Sequence, residues 1–127
     1  MAKWQNDLML DAAFNWLKSD ATYAATKLHV CSDQPTTFAE ANAAYMLAQV
    51  TIDSSDFTGP ADGDISGRKI TVNQQADVEV LTTGTATHIA LTNADTLLYV
   101  TTCTSQSLTD GNIVTVPAWD IEIADAS

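Results

Sequence analysis

Positive charge is what this sequence has least of. Five of its 127 residues are basic (Lys3, Lys18, Lys27, Arg68 and Lys69) against 16 acids, a formal net charge of −11. Five scattered cations cannot follow a phosphate backbone, which argues against direct nucleic-acid binding. The acidity serves solubility and opposes nonspecific association. Cysteine is scarcer still: Cys31 and Cys103 are too few for a disulfide scaffold. The five glycines are scattered, and no Gly-rich segment precedes a helix with a lysine, so a phosphate-binding loop is absent. No run approaches the roughly 18 apolar residues of a membrane span. Met1-Ala2-Lys3-Trp4-Gln5-Asn6-Asp7 does not lead into the uninterrupted apolar stretch of a signal peptide. The expectation is a soluble protein made in the cytoplasm.

What is present reads as structure. Hydrophobic residues make up 46% of the chain, enough for a core, and the length suits a single domain over 1–127. A helix opens it: Asn6 caps, Asp7 and Asp11 suit the positive end, and Leu10, Ala13, Phe14 and Leu17 recur at helical spacing. Trp4, Leu8 and Trp16 add apolar surface outside that stripe, which predicts contact on a second side of the helix. Lys27–Ser32 reads as a strand broken by Asp33-Gln34-Pro35. Thr37-Phe38-Ala39-Glu40 has the pattern of a capping box before an Ala-rich helical turn. Met46–Ile52 returns to extended structure, and Asp53–Gly67, with its glycines and acids, reads as a loop. Strands are then predicted at Arg68–Val72, Val78–Leu81, Thr85–Leu91, Leu97–Thr102, Ile113–Val116 and Trp119–Ile123. In the last, Trp119, Ile121 and Ile123 share one face, Asp120 and Glu122 the other. The fold class is α+β, mainly β: an antiparallel sheet or small β-sandwich with an N-terminal helix, helix-containing over 1–47 and β-rich over 48–127.

The chemistry-bearing residues do not gather into a reaction. Asp62-Gly63-Asp64-Ile65-Ser66-Gly67 has the front half of an EF-hand calcium loop, but Asn73 stands where the closing bidentate acid belongs, and Arg68 and Lys69 crowd the loop with positive charge. A surface turn is the better reading, with weak calcium binding at Asp56, Asp62 and Asp64 as the alternative. Cys31 and Cys103 with His29 and His88 lack the close Cys spacing of a zinc site. Two buried thiols, or a Cys31–Cys103 disulfide formed after release into an oxidising medium, are the readings left open. His88 has no nucleophile elbow or recognisable protease context beside it, and no pair of acids is singled out for glycoside cleavage. The expectation is neither an enzyme nor a cofactor binder but a protein that works by presenting a surface, with Trp4, Leu8 and Trp16 as interface residues.

Several tracts carry a family resemblance over nearly the whole chain: Trp4-Gln5-Asn6-Asp7-Leu8-Met9-Leu10-Asp11-Ala12-Ala13, Cys31-Ser32-Asp33-Gln34-Pro35-Thr36-Thr37, the turn from Asp62-Gly63-Asp64 to Gly67-Arg68-Lys69, and the tail from Gly84-Thr85-Ala86-Thr87-His88 to Pro117-Ala118-Trp119-Asp120-Ile121-Glu122-Ile123. In these the chain resembles small structural proteins of tailed bacteriophages and prophages. The resemblance implies a virion component, and it brings no catalytic residues with it. Small size and stand-alone β-structure lean toward a capsid decoration protein that clamps the shell from outside. Neck, collar, tail or fibre accessory proteins are the alternative placements, and a soluble non-virion binding module is the rival class. The partners expected are the major capsid or neck and tail proteins, and further copies of the chain, with no nucleic acid and no membrane.

Overall fold

Asn6 opens the first element as its residue type predicts. Its backbone is extended and its side-chain oxygen accepts the Leu8 N–H at 2.8 Å, satisfying one of the free donors at the start of α1 (Asp7–Ser19). At the other end the backbone leaves helical geometry at Asp20, whose carboxylate accepts the N–H groups of Thr22 and Tyr23 at 2.9 Å each. Among the described residues nine strands follow: β1 (Lys27–Cys31), β2 (Met46–Thr51), β3 (Phe57–Asp62), β4 (Arg68–Val72), β5 (Gln75–Glu79), β6 (Gly84–Thr92), β7 (Leu97–Leu108), β8 (Ile113–Val116) and β9 (Trp119–Ile123). This computed structural model describes residues 6–124. The fold is mainly β and antiparallel, with one N-terminal α-helix, as the sequence predicts.

The chain forms two units, and both are discontinuous in sequence. The first takes residues 1–24, 53–74 and 117–127; the second takes 25–52 and 75–116. The helix-containing part, 1–47, and the β-rich part, 48–127, each contribute to both.

In the first unit a three-stranded sheet runs in the order β3-β4-β9, and α1 lies along β3 and β4. Leu10, Phe14 and Leu17 are its buried helical residues, and Phe57, Ile70, Val72 and Ile121 its buried strand residues. Strand β3 falls inside the segment that reads as a loop. It carries Gly59-Pro60 at a register irregularity between Thr58 and Ala61, and the Gly59-Pro60 peptide is cis. Proline removes a ladder donor, so it is confined to edges and bulges, and β3 is one of the two edge strands of this sheet. Glycine and proline, read as punctuation, conceal a bulged edge strand.

In the second unit the sheet order is β2-β1-β6-β7, with β5 and β8 forming a separate pair. An isolated bridge between Ala48 and Val80, and the N–H groups of Leu81 and Thr82 donating to the Leu47 carbonyl, cover the outer side of β2. Strand β1 is buried from Leu28 to Cys31 and β6 from Ile89 to Thr92, so the central strands are covered on both faces. Two strands depart from the predicted bounds by more than one residue. Strand β7 extends to Leu108, because pairing with Gly84–Ala86 carries the Ser- and Gln-rich stretch along. Strand β5 begins at Gln75, where a register shift before Val78 buries Gln75 and Val78 together and breaks the alternation by which a strand is recognised. The capping box is half made. The Glu40 N–H donates to Thr37 Oγ1 at 3.2 Å, but the Glu40 carboxylate turns to the N–H and hydroxyl of Thr36, at 2.9 and 2.8 Å. The turn it opens, Glu40–Ala44, is π-helical.

Candidate interaction surface

At about 100° per residue, Leu10, Phe14 and Leu17 fall within about 60° of arc on α1, and this is its buried face. Asp7, Lys18, Asp11 and Asn15 form a polar band beside it. The remaining arc, about 140° wide, holds Ser19 of the last turn and five apolar residues, Leu8, Ala12, Trp16, Met9 and Ala13. All five are exposed, Leu8 at 75% and Met9 at 63% of their full surface. Ala13, expected in the core stripe, sits at the margin of the buried arc and faces out. The helix thus has two apolar faces, and the protein covers one of them.

The exposed face is held rigidly. Arg68 donates from Nε and Nη2 to both carboxylate oxygens of Asp11, at 2.8 and 3.2 Å, and from Nη1 to Asp62 at 2.7 Å. Lys18 Nζ donates to the Gly59 carbonyl at 3.2 Å. These contacts tie α1 to β3 and β4 along its length. Trp16 stacks on Tyr23, ring centroids 5.1 Å apart and planes 17° from parallel, and Tyr23 in turn is fixed by the Asp20 turn. An exposed aromatic pair with little freedom left has little ordering entropy to lose on binding.

Of the three expected interface residues, Leu8 and Trp16 lie on this face, and Trp4 lies outside the described residues. The sequence reading missed Met9, Tyr23 and Ile65. Met9 follows from the same helical arithmetic that finds Leu8. Tyr23 was legible only as an aromatic just past the helix end. Ile65 is 99% exposed in the turn between β3 and β4, the same turn whose flanking residue Arg68 pairs with Asp11.

The carboxylates considered for calcium are engaged by the protein itself. Asp62 holds Arg68, Asp64 accepts Lys69 Nζ at 2.7 Å, and Asp56 accepts the Asp53 N–H at 2.9 Å in the short turn before β3. Among the described residues no group of three or more His, Cys, Asp or Glu side chains gathers to hold a metal ion. Cys31 and Cys103 are free thiols. In the sheet β6 lies between β1 and β7, so the two cysteines stand two strand spacings of about 4.8 Å apart. A disulfide spans Cα separations of about 4.4–6.8 Å, so the bridge left open by the sequence would require a strand to move. Burial, with the Cys103 thiol adding to it, pushes the Cys31 thiol up to about 12, where it is protonated and unreactive at neutral pH. His29 Nε2 bonds Thr92 Oγ1 and His88 Nδ1 bonds Thr87 Oγ1, each at 2.8 Å.

Compared with protein-family profiles, curated proteins and solved structures, the chain matches none. No helix among the described residues is long and apolar enough to cross a membrane.

Proposed function

We propose that this chain is a structural component of a tailed-bacteriophage virion, a decoration protein that docks on the head through the second apolar face of α1. The observation that carries the docking role is that face itself: Leu8, Met9 and Trp16, with Tyr23 stacked alongside, on a helix whose opposite side is already used by its own core. Burying a large apolar side chain contributes roughly 1.5–3 kcal/mol, so three or four of them supply several kcal/mol before association costs are met. Repeated over many copies, that reinforces a shell. The virion assignment rests on the resemblance of the sequence tracts to phage structural proteins. Acidity suits an exterior position, since packed DNA repels acidic surfaces, and three of the five cations are committed within the protein: Arg68 and Lys69 to carboxylates, Lys18 to a carbonyl. The partners are other virion proteins and further copies of this chain, and the reading includes no catalysis.

Quantitative mass spectrometry of purified particles, run without reductant, tests this. A copy number comparable with the major capsid protein is expected. A few copies per particle would move the assignment to neck, collar or tail, and absence would turn it to a soluble binding module. Particles lacking the protein should take up the purified wild-type chain but not the Leu8→Ala/Trp16→Ala variant. Equal uptake of the two would remove α1 from the docking surface.

A further inference from the structure

The second unit keeps an imidazole at the centre of its sheet with half of its hydrogen bonding unmet. His29 lies on β1, which pairs with β2 on one side and β6 on the other, and none of its surface is exposed. Nε2 pairs with Thr92 Oγ1 at 2.8 Å, while Nδ1 is buried without a hydrogen-bond partner. Directly across the ladder from it is Gln49, whose Oε1 is also buried and unpartnered. A neutral imidazole tolerates such a setting, and an imidazolium does not: taking a cation out of water costs heavily unless an anion meets it.

No anion does. On β1 itself the flanking groups are the Lys27 cation and the Cys31 thiol. Strand β2 supplies Gln49 and β6 supplies Ala90 and Thr92, with His88 two pairs further along opposite Cys31. Val100 and Leu97 of β7, and Ala41 and Tyr45 of the helical turn, pack around Cys31 and Ala90 on the same side. The carboxylate of that turn, Glu40, is occupied by Thr36 and Tyr45.

We propose that His29 is a proton-operated latch of the second unit: neutral, it holds β2, β1 and β6 together, and on acidification it takes up a proton and opens the sheet at its central strand. Burial, reinforced by Lys27, lowers the imidazole from an ordinary 6.5 to about 4. Above the ordinary value it is neutral in both folded and unfolded chains, and stability does not depend on it. Between that value and the lowered one only the unfolded chain takes up the proton, so stability falls as pH falls. Below the lowered value both states are protonated and the slope vanishes. By about pH 4.5 this imidazole alone reduces the folding equilibrium of the unit about 80-fold from its value well above the ordinary midpoint, and the His29→Gln variant separates this from the carboxylates that begin to titrate in the same range.

The experiment uses the full chain. The chain has two histidines, so His88→Gln leaves a single imidazole whose carbon-bound proton can be followed by NMR. The expected outcome is a His29 midpoint near 4; a midpoint near the ordinary value with the sheet intact overturns the latch. Amide hydrogen exchange, corrected for intrinsic rates, then reads the sheet. Protection at Leu28–Val30 should fall about 40-fold between pH 6.5 and about 4.5 in the wild type and stay level in His29→Gln. Level protection in the wild type also overturns the proposal. Should His29→Gln fail to fold at neutral pH, the imidazole midpoint decides alone.

Discussion

At the scale of single residues, the turn between β3 and β4 shows how little freedom the presented surface has. The Gly63 N–H donates to the Gly67 carbonyl at 2.9 Å, and the Asp64 N–H donates to the Glu122 carboxylate at 2.7 Å, which fastens the turn to β9. Gly67 has φ +70, and a Cβ there would lie 1.9 Å from the Ile123 carbonyl oxygen. Gly111 has φ +90 but open space around it. The two positions therefore separate conformational strain from collision. Gly111→Ala should cost only the backbone term, about 1–3 kcal/mol. Gly67→Ala should cost clearly more, because β9 must also move away from Arg68 to admit the methyl group. Denaturant unfolding of the two variants checks this, and equal losses would mean that the Gly67 turn yields without resistance.

At the scale of elements, α1 carries the argument because its two faces predict opposite phenotypes. Phe14 is 3% exposed, and Phe14→Ala should destabilise the protein by about 3–5 kcal/mol through lost burial and the cavity left behind. Trp16→Ala, at a side chain 40% exposed, should cost less than Phe14→Ala, its stack on Tyr23 contributing about 0.5–1.5 kcal/mol beside its partial burial, and Leu8→Ala, 75% exposed, should cost less still. Thermal unfolding of each variant measures the contrast; a large loss for Leu8→Ala would place that side chain in the core and remove it from the surface. This duality was legible in the sequence, since Leu8 and Trp16 fall outside the Leu10, Phe14, Leu17 stripe at helical spacing. Strands with uninterrupted alternation or β-branched runs, such as β1, β4 and β9, were legible too. Strand β3 was not, because pairing with β4 overrides the local preference of Gly59-Pro60 for a turn. Strand β7 was cut short for the same reason: the partner strand decides where a Ser- and Gln-rich edge ends. The His29–Gln49 juxtaposition depends on which strands are neighbours and in what register, and neither is written in local periodicity.

At the scale of the whole molecule, the chain visits the two units alternately, and its last strand completes the first one. Strand β9 pairs with β4 from Arg68↔Ile123 to Val72↔Trp119, and it contributes the buried Ile121 to that core. The second unit draws only on residues between Ala25 and Val116. A chain ending at Val116 therefore retains every strand of the second unit and loses one of three in the sheet that supports α1. The edge of β4 would be left as an open row of donors and acceptors, and Ile70, fully buried in the intact unit, would lose its cross-strand neighbour Ile121. Amide exchange of the truncated chain should show protection kept at Leu28–Val30 and Ile89–Leu91, and lost at Ile70–Val72 and along α1. If the second unit lost protection as well, the two would be one cooperative body, and acid opening at His29 would then spread to the α1 surface. If it keeps protection, the proton latch and the docking face can act independently. Acid would then loosen the second unit while the α1 face of the first keeps its structure.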